Sequence, residues 1–72
     1  MAKSLGEKRV RVDFNPMSSD KVMFMKKEFA QMIDELEQHK QKDSDPETLR
    51  LIATAQTKIE EAAMWTVKAI TK

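Results

Sequence analysis

His39-Lys40-Gln41-Lys42-Asp43-Ser44-Asp45-Pro46-Glu47 divides the chain into two helical halves. Residues 39–44 are polar throughout, so the apolar pattern that precedes them stops and a connection is expected there. Asp45-Pro46-Glu47 then restarts a helix. An aspartate caps free backbone N–H groups, proline fits the first helical position without losing a bond, and glutamate favours the positive end of the helix dipole. Upstream, Val22, Met25, Phe29, Met32 and Leu36 recur at spacings of three and four, with Ile33 widening the stripe. That is an amphipathic helix of about twenty residues, about 30 Å long. Downstream, Ile52, Ala55, Ile59, Ala62, Ala63, Val67 and Ile70 keep helical spacing almost to the last residue. A connection of roughly six residues between two such helices favours antiparallel neighbours.

The N-terminal residues 1–17 contain the only glycine, Gly6, and one of the two prolines, Pro16, with no helical periodicity. They predict a mostly extended or mobile arm. Asn15-Pro16 ends it, because proline biases the residue before it away from the α region, and Ser18, Ser19 or Asp20 can then cap the first helix. The expected fold is all-α: an N-terminal arm over 1–17 and an antiparallel helical hairpin domain over 18–72.

A 72-residue chain is one domain, and a lone hairpin of that size leaves apolar surface wet. Met25 and Met32 fall within the stripe and are expected in the core. Met23, Leu51, Met64 and Trp65 lie at or beyond the stripe edges and predict contacts between copies, hence a homo-oligomer. The absence of cysteine rules out disulfides and thiolate metal sites and fits a reducing compartment. No apolar run approaches the roughly 18 residues of a membrane span, and Met1 to Lys8 has no signal-peptide core. A cytosolic protein with no membrane partner is the expectation.

Net charge is +1, which argues against a partner as long and uniformly anionic as a nucleic-acid polymer. The charge is unevenly spread. Residues 1–27 carry +4, residues 28–47 carry −5 and residues 48–72 carry +2. An antiparallel hairpin brings the start of its first helix beside the end of its second, so Lys21, Lys26, Lys27, Lys68, Lys72 and the arm gather at a basic open end. The loop end is acidic. A compact anion suits the basic end, with the positive helix terminus adding to it, although acidic and basic residues at helix ends are also ordinary complements of the helix dipole.

Little in the chain points to catalysis. His39 is the only histidine, with no cysteine or second histidine near it, and reads as a solvated loop residue. Glu60-Glu61 and Asp34-Glu35 are adjacent only in sequence, since neighbours on a helix diverge by about 100°, and read as solvated faces. There is no glycine-rich phosphate loop and no serine with plausible partners. No catalytic residue, no metal site and no cofactor is expected. Phe14, beside Arg9, Arg11 and Asn15, could stack on a purine, or could act as a hydrophobic staple or an anchor between chains. Trp65 is a natural interface anchor.

Asn15-Pro16, Lys26, Asp45-Pro46 and above all Met64-Trp65-Thr66-Val67-Lys68-Ala69-Ile70-Thr71 resemble the hairpin domain of phage anti-CBASS cyclic-nucleotide sponges, a domain also found in one type of Thoeris anti-defence sponge. The similarity runs from about residue 9 to the end. The resemblance implies a hexamer that sequesters cyclic oligonucleotide signals without hydrolysing them, in the cytoplasm of the infected bacterial host. It implies cyclic dinucleotides in pockets between paired protomers and cyclic trinucleotides where three protomers meet. By position, Lys26 resembles the helix-one lysine that meets a phosphate, Arg11 to Asn15 the segment that covers a base, and Lys68 with Thr71 the lining of the three-fold pocket. The chain has no tyrosine, so stacking by the arm falls to Phe14 or an arginine, and Thr66 stands where the family pattern suggests alanine. Thoeris relatives carry a substantial folded region before the hairpin, where this chain has fewer than twenty residues, which favours the anti-CBASS branch.

The expected ligand-binding set is therefore Arg11, Phe14, Asn15, Lys26, Lys27, Lys68 and Thr71. Two other readings compete with it: an oligomeric adaptor that binds a protein through Met23, Met64 and Trp65, and a weak nucleic-acid binder that uses the arm.

Overall fold

The computed structural model describes residues 3–12, 20–43 and 45–71. Among them the chain is all-α, with α1 over Leu5–Val10, α2 over Asp20–Lys42 and α3 over Pro46–Ile70. α2 and α3 form the hairpin. α2 is the central element, packing against both α1 and α3, while α1 and α3 meet only briefly.

α3 begins as its sequence requires. The Asp45 carboxylate accepts the Thr48 N–H at 3.0 Å and the Thr48 hydroxyl at 2.8 Å, with Pro46 in the first turn. α2 runs on through Lys42, so His39 to Lys42 are helical and the connection is shorter than expected. Lysine and glutamine are good helix formers, and a helix with no apolar residue in its last turn can persist with that turn in solvent. His39 is exposed there, on a helix instead of in a loop. The caps expected at Ser18 and Ser19 lie outside the described residues.

The principal correction concerns the N-terminal segment. Leu5–Val10 is helical, not extended, and it packs antiparallel to α2. Six residues cannot show apolar periodicity and cannot hold a helix alone, so α1 depends on its ends and its neighbour. Ser4 and Glu7 form a capping box: Ser4 Oγ accepts the Glu7 N–H at 3.2 Å, and Glu7 Oε1 accepts the Ser4 N–H at 2.9 Å. At the other end Arg11 adopts a left-handed conformation (φ 64°, ψ 51°). The Val12 N–H returns to the Glu7 carbonyl at 2.8 Å and the Arg11 N–H to the Lys8 carbonyl at 3.3 Å, a Schellman closure.

α2 supplies the rest. Lys26, Ala30 and Asp34 recur every four residues and so share one face. Asp34 Oδ1 accepts the Gly6 N–H at 2.7 Å near the positive end of α1, and Lys26 Nζ donates to the Arg11 carbonyl at 3.3 Å at its negative end. Both charges complement the α1 dipole. Between them Gly6 lies against Ala30 so closely that a Cβ there would sit 2.7 Å from the Ala30 carbonyl carbon, and nearer still to its oxygen.

The core lies where the three helices meet, and joins Val10, Val12, Ala30, Ile33 and Ala63, with Met23, Phe29 and Ile59 packed on it. The segment read as an arm therefore supplies two core residues. Because α2 faces two neighbours, its buried face centres on Ala30 and Ile33, leaving Met32, one residue and about 100° away, 42% exposed instead of in the core. Met23 is half-buried and packs inward on this core instead of outward. On α3, Ala63 is buried but its neighbour Ala62 is exposed. Gln56 is buried in the hairpin interface, donating to the Ile33 carbonyl at 3.1 Å and to Glu37 Oε1 at 3.2 Å.

The molecule measures 42 × 28 × 12 Å along its principal axes, so it is flat. Its accessible surface is 5544 Å², against roughly 4,600 Å² expected for a compact monomer of this mass. Phe24, Leu51, Met64 and Trp65 stand about half or more exposed on it.

Candidate functional site

The packing of α1 against the hairpin creates an open groove of about 840 Å³ near the open end. One wall comes from the end of α1 and from α2, and the other from the C-terminal half of α3. Arg11, Lys26 and Lys68, one from each of these elements, line it together. Folding therefore brings three of the expected ligand-binding residues to one concavity although 15 and 42 positions separate them in sequence.

Each is held differently. The left-handed backbone that ends α1 places Arg11 at the lip, exposed. Lys26 donates to the Arg11 carbonyl, which ties the α1 terminus to α2 and keeps the lysine beside the groove. Lys68 stands over the ring of Trp65, its Nζ 5.1 Å from the centroid. That cation–π contact lets a lysine stay charged beside apolar surface.

Lys27 and Thr71 do not line the groove. Lys27 is exposed on α2, turned away from Lys26 as helical neighbours must be. Thr71 follows α3, and its hydroxyl donates to the Val67 carbonyl at 2.6 Å while its N–H reaches the same oxygen at 3.0 Å. Phe14 and Asn15 lie outside the described residues.

The groove also holds residues that the sequence did not single out as a site. Arg9 reaches across from α1 to α3, its Nε 3.1 Å from Glu60 Oε1 and its Nη2 3.5 Å from the Thr57 hydroxyl. Glu61 lies beside them without a hydrogen bond or ion pair among the described residues. The acidic pair read as a solvated face is thus part of the groove wall. Helical spacing carried a hint, since Glu61, Met64 and Lys68 are separated by three and four positions and share a face. Five basic side chains oppose two acidic ones around this groove. With Arg9 and Glu60 paired, the remaining charge is strongly positive and open to an anion.

Among the described residues no cluster of histidine, cysteine, aspartate or glutamate could hold a metal ion, and no helix is long and apolar enough to cross a membrane. Asp45 has its pKa held below the ordinary value, chiefly by the Thr48 hydroxyl and then by the Thr48 N–H, a consequence of its capping role.

Compared with known proteins, residues 7–71 match the model of a family described as Acb2/Tad1, hairpin domain. No curated protein and no solved structure matches the chain.

Proposed function

The chain belongs to the Acb2/Tad1 hairpin-domain family, the anti-CBASS and anti-Thoeris sponges, and on that premise we propose that it binds and sequesters cyclic oligonucleotide second messengers without cleaving them. The observation that carries the proposal is the meeting of Arg11, Lys26 and Lys68 in a groove that no single helix could build. Phosphates would be met by these cations, with Lys27 adding charge nearby and Phe14 and Asn15 covering a base. Lys68 and Thr71, three positions apart at the end of α3, would serve a second pocket for cyclic trinucleotides.

One chain supplies only part of a closed site, because the groove is open and the molecule is a thin slab. The reading therefore includes assembly, as a hexamer, through exposed apolar side chains such as Phe24, Leu51 and Trp65. It also includes a phage origin and action in the cytoplasm of the infected bacterium, where messengers held in such pockets would be withheld from their effector.

Titration calorimetry of the full chain against a broad panel of cyclic dinucleotides and trinucleotides should give saturable heat with at least one member. Chromatography after heat release should return that ligand intact. Heat with none of the panel would sink the proposal. Lys26→Ala should weaken cyclic dinucleotides alone, and Lys68→Ala should weaken both classes, since Lys68 faces the groove and is assigned to the second pocket as well. Light scattering should give the mass of a hexamer; a monomer would contradict assembly and favour exposed apolar side chains that bind a different protein.

A further inference from the structure

The α3 wall of the groove is graded. Lys68 stands at one end, Ala63, Met64 and Val67 form an apolar middle, and Glu61 follows them, with Glu60 and Thr57 beyond it held by Arg9. Lys68 lies seven positions after Glu61, about 10 Å along the helix axis. Arg11 and Lys26 face the groove from the opposite wall. A nucleotide has the same order of chemistry along its length: an anionic phosphate, an apolar base face, and a hydrogen-bonding base edge.

With its phosphate at Lys68 and the opposing cations, a nucleotide laid along α3 directs the Watson–Crick edge of its base toward Glu61. A carboxylate is an acceptor only. Guanine offers two neighbouring donors on that edge, the N1–H and the exocyclic amine, which one carboxylate can accept together in a charge-assisted pair. Adenine offers one donor beside an unprotonated ring nitrogen, whose lone pair would face the carboxylate. Glu60 cannot substitute, because Arg9 holds its Oε1. Glu61 has no such partner among the described residues and remains available.

We propose that Glu61 is a specificity-determining residue that makes guanine the preferred base of a cyclic dinucleotide bound in this groove. The inference rests on the sponge reading above and deepens it by naming the preferred base and the residue that selects it. A donor pair matched to one acceptor group discriminates between bases, because the wrong base leaves polar atoms unpaired, and more so where a second copy closes the groove.

The test compares a cyclic dinucleotide carrying two guanines with one carrying two adenines, by calorimetry on the full chain and on Glu61→Gln and Glu61→Ala. The guanine ligand should bind the native chain about tenfold or more tightly than the adenine ligand. Glu61→Gln should reduce or invert that ratio, since a carboxamide donates to the adenine ring nitrogen and accepts from its amine. Glu61→Ala should weaken the guanine ligand, with circular dichroism checking that both variants remain folded. Binding of both ligands with equal affinity, or a ratio unmoved by Glu61→Gln, would overturn the assignment of Glu61 and leave the sponge reading standing. Binding of neither would overturn the assignment of Glu61 as well, and the sponge reading would fall with it only if the whole panel of cyclic dinucleotides and trinucleotides gave no heat.

Discussion

The starts of α1 and α3 use the same device at very different strength. In each, a side-chain oxygen at the cap accepts the N–H three residues on, Ser4 from Glu7 and Asp45 from Thr48. α3 then continues for 25 residues, whereas α1 stops after six. The long helix propagates from its cap and buries a face of its own against α2. The short one exists because α2 brackets it, with Asp34 at its first turn, Ala30 against Gly6 and Lys26 at its last carbonyls. A cap therefore marks where a helix can begin, while length and tertiary support decide whether it survives.

Substitutions that remove the support should separate the two helices. Gly6→Ala puts a methyl group into the Ala30 backbone, which has no freedom to yield inside α2. It should cost about 2–3 kcal/mol in urea unfolding, and hydrogen exchange should show α1 losing its protection while α3 keeps it. Unchanged protection in α1 would mean that the close contact with Ala30 is not what fixes it. Asp34→Ala leaves the Gly6 N–H without its acceptor and removes a charge that complements the α1 dipole. A smaller loss of about 1–2 kcal/mol is expected, again confined to α1 by exchange.

The smallest effect should come from the self-sufficient end. The native pKa of Asp45 is depressed below its ordinary value of 3.8. Stability from such a group is complete above the unfolded-state pKa and is lost as pH falls through the native one. The Asp45 cap should therefore contribute fully at neutral pH and fade below about pH 4. Asp45→Asn, which still caps but does not titrate there, should flatten that part of the acid-stability profile in thermal melts while changing little near neutrality. A profile as steep as that of the native chain would show that other carboxylates dominate acid unfolding.

The hairpin was legible because each long helix repeats its apolar spacing several times and Asp45-Pro46 marks the restart. The α1 helix was not, since six residues give no period, yet Ser4 and Glu7 stand at capping-box spacing and Val10 and Val12 end the segment with apolar side chains. The end of α2 was misjudged because apolar periodicity reports burial, and His39 to Lys42 are helical without being buried. Gln56 could not be recognised as a core residue from its own position. Its partners, Ile33 and Glu37, lie on the other helix, 23 and 19 residues away. The basic groove follows from antiparallel geometry, which places Lys26 near Lys68 whatever the details. Its acidic end does not, because nothing in the sequence says that Arg9 will cross to Glu60 and leave Glu61 open.

Arg11 occupies a backbone conformation that glycine adopts freely and that costs an L-residue with a Cβ about 1 kcal/mol. Under selection for stability alone, a drift toward glycine at this position would run downhill. On the proposed function, what opposes the drift is the guanidinium itself, since no other atom of residue 11 carries charge to the groove lip. Stability and the proposed recognition would thus pull on one codon in opposite directions. A laboratory selection for thermostability alone, run without ligand, would be expected to erode this position before it touched the rest of the groove.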